Sequence, residues 1–317
     1  MKKTIRTLVL IVLCITLVIP SVFAGSDGKK LKDSIGAVSV ENVAFRDEME
    51  NPYFQTVLEE YQKKGYNFDS PAISFTPAEA AGHKGVEVIE GKEAYRLTRE
   101  VGEVNYTVTA EKDSAYEIVL DYYMLSDTGV SGKHSVLIDG KTQFFEADSI
   151  AFNRLWQDEN EPIVNGVGDE VKPRQQEIRC WQTYALEDTH GFYSLPLNFF
   201  LSAGKHTITI RFVSEDIAIG NMILRTPTKL EPYSKPSESE AGQPIYFEAE
   251  ENAAEKSDST LRQESDSDPA TVPSDPRYLK LNMMGGVIWN KANQKITWRF
   301  SVEKAGLYSV NLKCQQM

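Results

Sequence analysis

The fold is decided by residues 104–120, which read VNYTVTAEKDSAYEIVL. Apolar and polar side chains alternate over the first seven residues, and a second apolar run, Tyr116 to Leu120, follows a short polar turn. Alternation of this kind is typical of a β-strand that buries one face. The stretch therefore predicts two consecutive strands of a layered β structure.

Further short strand-like runs surround this stretch, and no long helical pattern separates them before Pro227. The run that ends at Ile138 is followed by the turn dipeptide Asp139-Gly140, as in a tight hairpin. The run His206–Phe212 alternates again. Many short strands with this punctuation predict an all-β sandwich or barrel.

One short helix is predicted ahead of the strands, within a lead-in over residues 45–70. Apolar side chains recur at helical spacing over Phe54–Tyr61, and Gly65 follows the run. We expect this amphipathic helix to pack on the outside of the β domain.

The amino terminus has the pattern of a secretory signal peptide over residues 1–24, with a basic start, an apolar run and small residues at its end. Its removal takes away three basic side chains and no acidic one, which lowers the formal net charge from −12 to −15. The polar stretch 25–44 is predicted to be a flexible tether. The sequence thus predicts an extracellular or cell-surface protein whose acidic surface disfavours nucleic acid.

The remaining cysteines, Cys180 and Cys314, are far apart, so they predict no disulfide framework and no Cys and His metal cluster. Residues 227–243 are rich in Pro, Ser and Glu and predict a linker. The fold must therefore depend on an apolar core on either side of this linker.

Beyond the linker the chain repeats itself. Residues 296–312 read ITWRFSVEKAGLYSVNL and align without gaps with 104–120, with four identical pairs. This offset indicates two copies of one domain rather than a small solenoid repeat. We expect a complete module over 71–226 and a second copy over 244–317 that ends before its later strands.

Several of these motifs resemble carbohydrate-binding modules of families 6 and 35. The resemblance is carried by YEIVLDY at 116–122, IDG at 138–140, LSAGKHTITI at 201–210 and IYFEAE at 245–250. It implies a jelly-roll type β-sandwich that binds a polysaccharide or oligosaccharide without catalysis.

A narrower resemblance rests on FNRLWQD at 152–158, PRQQEIRCW at 173–181, FLSAGKH at 200–206 and LKLNMMGG at 279–286. In this order they look like the tandem modules that precede the solute-binding domain in extracellular ABC-transporter binding proteins of Gram-positive bacteria. The resemblance implies a part in sugar uptake, with a transporter permease as partner through a further domain. No solute-binding domain is recognisable in residues 1–317.

The segment 152–192 is an unusually long excursion for a sandwich, and long loops on rigid sheets often carry binding sites. Sugars present an apolar ring face and a rim of hydroxyls, which aromatic rings, carboxylates and Arg side chains recognise. Candidate ligand contacts in or beside this segment are Arg154, Trp156, Asp158, Glu177, Trp181 and Tyr193. The alternative is structural: Trp156 and Trp181 pin the loop onto the sheet, and Arg154 pairs with Glu177.

Glu248 and Glu250 alternate along the predicted opening strand of the second copy. In the modules that it resembles, two such glutamates help to hold a structural calcium ion, for which carboxylate oxygens are suitable ligands. A solvated acidic strand is the alternative.

No catalytic motif is apparent. Glu177 and Asp188 offer a carboxylate pair of the kind used by glycosidases, but carboxylates are frequent in this chain. The four histidines are scattered, and no Ser, His and Asp arrangement is expected. The leading hypothesis is therefore a non-catalytic glycan-binding region, and the alternative is a structural spacer that binds nothing.

Overall fold

A computed structural model describes residues 51–81, 85–230, 232, 244–251, 253–304, 306 and 308–314. The predicted signal peptide and tether and most of the predicted linker lie outside these residues. Residues 51–317 form one compact unit.

The strands of the first copy begin after a helical lead-in and continue to residue 152. They are β1 (Ile73–Phe75), β2 (Ala80–Ala81), β3 (Val86–Ile89), β4 (Lys92–Leu97), β5 (Glu103–Ala110), β6 (Ser114–Met124), β7 (Gly132–Ile138) and β8 (Ile150–Phe152).

The long excursion contributes five short strands of its own. They are β9 (Leu155–Asp158), β10 (Ile163–Val164), β11 (Glu170–Val171), β12 (Gln175–Ile178) and β13 (Gln182–Ala185).

One short and two long strands then complete the sandwich, and four short ones follow in the predicted second copy. These are β14 (Asn198–Leu201), β15 (Gly204–Ser214), β16 (Ile217–Arg225), β17 (Ala253–Lys256), β18 (Gln263–Glu264), β19 (Met283–Met284) and β20 (Ile296–Trp298).

Two antiparallel sheets build the sandwich. The larger sheet has the order β13-β6-β16-β4-β3, with β14 beside β6 and β1 beside β16, and the smaller sheet has the order β2-β5-β15-β7-β8. The chain crosses repeatedly between the two sheets, from β4 through β5 and β6 to β7 and again from β14 through β15 to β16, as in a jelly roll. The predicted all-β class and the jelly-roll sandwich are therefore confirmed.

The core lies between these sheets and follows from the alternation in the sequence. Val104, Tyr106 and Val108 of β5 point inward and are almost fully buried, while the residues between them are more exposed. Strand β6 is buried on both faces over most of its length. The turn Asp139-Gly140 has positive φ at both residues, which matches the predicted tight turn.

Helix α1 covers Phe54–Lys63, and Gly65 follows it with a φ of 78°. Phe54 and Val57 are buried against the sandwich, as predicted. The amide of Phe54 donates to Oε2 of the buried Glu146 at 2.8 Å, so a distant carboxylate caps the first turn. None of the described helices is long and apolar enough to span a membrane.

The predicted second copy differs from the first module in its surroundings. Residues 104–120 form two long paired strands, whereas residues 296–312 form a strand only at β20. Beyond β20 the apolar side chains are largely exposed, and Leu312 is 69% accessible. A strand is stable when its edges are paired and one face is covered, and no strand pairing is formed beyond β20 among the described residues. The predicted boundary at 227–243 remains a prediction.

A short sheet joins the excursion to the second copy. Its order is β12-β9-β17-β20, and Lys256 of β17 lies opposite Trp156 of β9. The segments on either side of the predicted linker are therefore hydrogen-bonded to each other through this sheet.

His134 generates a prediction about stability and pH. It is fully buried on β7, with the rings of Phe152 and Phe212 at 5.0 and 5.9 Å. Burial lowers the pKa of His134 from 6.5 to about 4. As the pH falls, the unfolded chain binds a proton before the folded chain does. The folded state therefore keeps its full stability above pH 6.5 and loses about 3 kcal/mol between pH 6.5 and 4.

The variant His134→Leu removes this titration, so its unfolding free energy should fall less between pH 7 and pH 4.5 than that of the wild type. Urea unfolding at both pH values measures the difference. His190→Gln, which changes an exposed histidine, should keep the wild-type pH dependence. Identical pH dependence of the wild type and His134→Leu would contradict the prediction.

Candidate functional site

The outer face of the larger sheet carries a small apolar cluster that is separate from the sandwich core. Ile89, Ala94 and Ala218 are buried in it, with Tyr123 and Trp181 packed against them. The indole Nε1 of Trp181 donates to the carbonyl oxygen of Ile89 at 3.0 Å, and its ring lies 5.7 Å from that of Tyr123. These contacts hold the indole in one orientation across the strands.

A cleft of about 360 Å³ opens on this face. Its lining comes from the segment after β1, from the start of β4 and from the middle of β6 and β16. The lining residues are Thr76, Pro77, Lys92, Glu93, Asp121, Gly220 and Asn221.

Gly220 lines the cleft, and its lack of a side chain leaves the cleft open at this position. A Cβ atom at this position would lie 3.0 Å from Cβ of Asp121 and 3.3 Å from the ring of Trp181. The pairing of β16 with β6 is irregular between Ile219 and Met222, as in a β-bulge. Such an irregularity re-aims side chains at a sheet surface, and here it leaves Asn221 exposed beside Gly220.

Polar groups surround the indole. Lys92 Nζ lies 3.4 Å from Asp121 Oδ2 and 5.4 Å from the centre of the Trp181 ring. Thr183 Oγ1 donates to the other carboxylate oxygen of Asp121 at 2.5 Å. The Lys92 side chain is 50% exposed, so this ion pair adds little stability and is free to exchange partners. The cleft thus has donors and acceptors in its lining, and the Trp181 ring lies beside Lys92 and Gly220 at its edge.

Arg154, a predicted ligand contact, is a framework residue here. It is 1% exposed, and its guanidinium donates to Glu177 at 2.5 Å, to the carbonyl of Val130 at 2.7 Å and to Ser126 at 2.8 Å. Glu215 lies 3.8 Å away. The pair with Glu177 matches the structural alternative, and it ties the excursion to the loops at one end of the sandwich.

Asp158, another predicted ligand contact, is also bound to framework residues. Its Oδ1 lies 2.7 Å from Nζ of Lys256, a fully buried residue. The same oxygen accepts a hydrogen bond from the side-chain amide of Gln175. Burial lowers the pKa of Lys256, while the hydrogen bond that Lys256 donates to Asp158 raises it. Trp156 is half-buried on the same short sheet and packs near Gly129. Asp158 and the short sheet thus connect the excursion to β17 of the predicted second copy.

Tyr193 supports the helix. Its ring lies 5.0 Å from that of Phe54, and its hydroxyl oxygen accepts from the amide of Gln55 at 3.2 Å. Of the six predicted ligand contacts, Trp181 alone adjoins the cleft.

The predicted strand at residues 245–250 is not formed, and residues 249–250 are a turn. Glu248 is exposed, whereas Glu250 is 4% exposed. Burial raises the pKa of Glu250, and the nearby negative charges of Glu248 and Glu251 act in the same direction. The expectation that Glu248 and Glu250 share one strand face is therefore wrong.

No group of three or more His, Cys, Asp or Glu side chains suited to a metal occurs among the described residues. Calcium takes six to eight oxygen ligands, so Glu248 and Glu250 do not by themselves make a ligand set. Calcium binding remains a prediction from the resemblance.

The carboxylates considered for hydrolysis have structural partners. Glu177 is bonded to Arg154, and Asp188 is fully buried. The two carboxylate oxygens of Asp188 accept from the amides of His190 and Phe192 at 2.9 and 2.7 Å. Neither carboxylate faces the cleft on the larger sheet.

The expectation of no Ser, His and Asp arrangement is wrong as regards geometry. His206 Nδ1 lies 2.6 Å from Asp139, and its Nε2 lies 3.2 Å from Ser202 Oγ. Nε2 is also 2.9 Å from the carbonyl oxygen of Ser202. The carbonyl and the carboxylate both only accept, so Nε2 and Nδ1 act as donors in these contacts and Nε2 does not act as a base toward the hydroxyl. These residues join the Asp139-Gly140 turn to β15.

Sequence reasoning missed Lys92, Asp121 and Asn221 as cleft residues. A signal for Asp121 was present, because it is a charged residue within the apolar run of β6. Lys92 and Asn221 stand in ordinary surface patterns, and their neighbourhood arises only from the pairing of β4, β16 and β6.

No family model matches the chain, and no curated protein matches it. Solved structures do show a likeness. A family 35 carbohydrate-binding module from Clostridium thermocellum is 9% identical with a TM-score of 0.29, over 49% of this chain and 98% of that one. Carbohydrate-binding module CBM36 in complex with calcium and xylotriose is 12% identical with a TM-score of 0.30, over 48% and 99%.

A ruminal GH26 endo-β-1,4-mannanase is 11% identical with a TM-score of 0.32, over 52% of this chain and 28% of the mannanase. The matched region is thus a minor part of that enzyme. At these scores the likeness assigns no ligand to this chain, and the fold rests on its own strand pairing.

The role of Arg154 can be tested by stability. Arg154→Met leaves Glu177 without its buried partner, and we expect the free energy of unfolding to fall by about 3–5 kcal/mol. Urea unfolding measures the change. Arg96→Met is the matched control because Arg96 pairs with Glu87 where both side chains are exposed, and it should cost less than about 1 kcal/mol. Equal effects would contradict the framework role.

Proposed function

We propose that this protein binds glycans without catalysis, through the cleft that Trp181 flanks on the outer face of the larger sheet. One observation carries the proposal: a fixed indole, an exchangeable Lys92 and Asp121 pair and the amide of Asn221 lie together beside a low floor at Gly220. A sugar ring offers an apolar face to the indole and hydroxyls to the surrounding polar groups.

The mode of binding follows from these groups. Asp121 accepts from sugar hydroxyls, Lys92 donates to them, and Asn221 does both. The indole supplies contact area at little entropic cost, because Ile89 and Tyr123 already hold it. A site with a wide opening suits a chain of sugars that lies along the sheet.

A non-catalytic role is supported by the occupation of the other candidate groups. Glu177 and Asp188 are bound within the framework, and His206 donates to a carbonyl. The charge of −12 favours a neutral ligand over a polyanion.

The cellular context is part of the proposal and rests on the sequence resemblance. The chain would act outside the cell as the glycan-recognising part of an ABC-type sugar uptake receptor, with a permease engaged through a further domain. Calcium at Glu248 and Glu250 rests on the separate resemblance to modules of families 6 and 35, and a thermal-shift titration with CaCl₂ and with EDTA tests it.

A structural spacer is the second candidate. It is favoured by the engagement of Arg154 and Asp158 in ion pairs that hold the excursion in place. A spacer would bind no glycan, so the two candidates differ in a direct measurement.

Affinity electrophoresis of the full chain in gels that contain soluble polysaccharides tests the proposal. We expect retardation by at least one polysaccharide, and we expect Trp181→Ala to weaken it about tenfold or more, as for a central aromatic contact. Asp121→Asn should weaken it less, because the amide still accepts one hydrogen bond.

Trp289→Ala is the matched control, since Trp289 is a partly exposed tryptophan outside the cleft. It should leave retardation unchanged, and urea unfolding should show that each variant is folded. Absence of retardation by a wide polysaccharide panel would support the spacer, and release of reducing sugar would indicate hydrolysis.

A further inference from the structure

A second aromatic surface lies at one end of the sandwich and shares no residue with the cleft. Four rings follow one another there: Tyr53, Phe145, His190 and Phe192. The centroids of successive rings are 5.9, 5.6 and 6.2 Å apart. The last three rings are nearly parallel, at 18° and 30°. We call these four residues the aromatic strip.

Three of the four rings are exposed, and Phe145 is half-buried. Tyr53 is 50% and Phe192 is 72% accessible, and His190 is exposed as well. Large aromatic side chains mostly lie inside proteins, and a contiguous exposed group of them commonly marks a binding surface.

The loop that carries His190 and Phe192 is held by a buried charge. Asp188 is fully buried, and its two carboxylate oxygens accept hydrogen bonds from the backbone amides of His190 and Phe192. Gly191 lies between them with a φ of 71°, which a glycine adopts readily. A buried carboxylate is costly, and here its bonds fix the backbone beneath two exposed rings.

The other half of the strip is fixed as well. The amide of Phe145 donates to the carbonyl of Pro52 at 2.8 Å, which joins the chain before α1 to the turn that follows β7. Thr189 donates to the carbonyl of Ser149 at 2.7 Å and joins this turn to the loop. All four rings therefore stand on connected, rigid backbone, which lowers the entropic cost of binding.

Glu146 gives an independent indication of a bridging water at this place. It follows Phe145 in the chain and is 2% exposed, and its Oε2 accepts from the amide of Phe54. Its Oε1 is buried without a hydrogen-bond partner among the described residues. Buried acceptors are nearly always satisfied, and a hydroxyl-rich ligand with its bound water supplies O–H donors.

We propose that the aromatic strip is a second glycan-binding surface, on which successive sugar rings of one polysaccharide chain stack. The proposal rests on the glycan-binding function proposed above. A nucleic acid would also stack on aromatic rings, but the charge of −12 and the carboxylates of Glu146 and Asp188 beneath the strip repel phosphates. With two surfaces, long polysaccharides bind more tightly than short oligosaccharides because the second contact is intramolecular.

The test compares the full-length wild type, Trp181→Ala, the double variant His190→Ala/Phe192→Ala and the combination of all three changes. Affinity electrophoresis with a retarding polysaccharide gives the dissociation constant of each. We expect the strip variant to weaken binding about two- to tenfold, and the combination to weaken it more than Trp181→Ala alone. Leu230→Ala, at a residue that is also 72% exposed, should have no effect.

The outcomes separate the two proposals. Wild-type binding by the strip variant, with loss in Trp181→Ala, would overturn the strip and leave the cleft. Loss in the strip variant with wild-type binding by Trp181→Ala would support the strip and overturn the cleft. Size-exclusion chromatography gives a further outcome: a wild-type dimer that the strip variant lacks, with unchanged glycan binding, would make the strip a protein contact and overturn the proposal.

Discussion

Strand β6 holds this structure together, because it is buried on both faces and paired along both edges. Its inner face packs into the sandwich core, and β16 pairs with it on one side while β13 and β14 pair with it on the other. Every element of the candidate cleft is attached to it directly or through β16. The constraint also explains why a charged residue, Asp121, occurs in so apolar a strand: its side chain points to the outer face, where Lys92 and Thr183 contact it.

The long excursion between β8 and β14 uses electrostatics where the sandwich uses apolar packing. Two buried cations, Arg154 and Lys256, hold it at different points, each with a carboxylate partner. Desolvating such groups costs several kcal/mol, which close partners offset. The pairs therefore specify the position of the loop more than they stabilise it. Within the excursion, Trp181 lies on the surface of the larger sheet.

The cleft and the aromatic strip share a design. In each, hydrogen bonds to an acceptor below the surface fix the rings or their backbone: Trp181 donates to Ile89, and the amides of His190 and Phe192 donate to Asp188. Preorganised rings lose little freedom on binding, so even a shallow surface can retain a ligand that contacts it repeatedly. A polymer of similar sugar units provides such repetition.

The sequence by itself determined the all-β class, the helix at Phe54–Lys63, the Asp139-Gly140 turn and the principal strands, because alternation and turn chemistry are local properties of the chain. The sequence also predicted Trp181 as a candidate ligand contact. Only the tertiary structure decided that Arg154, Asp158 and Tyr193 support the framework and that Lys92, Asp121 and Asn221 meet beside Trp181. The same holds for the strip, whose rings come from three separate segments. Which side chains become neighbours depends on strand pairing between distant residues, and burial then decides whether a charge faces a partner or the solvent.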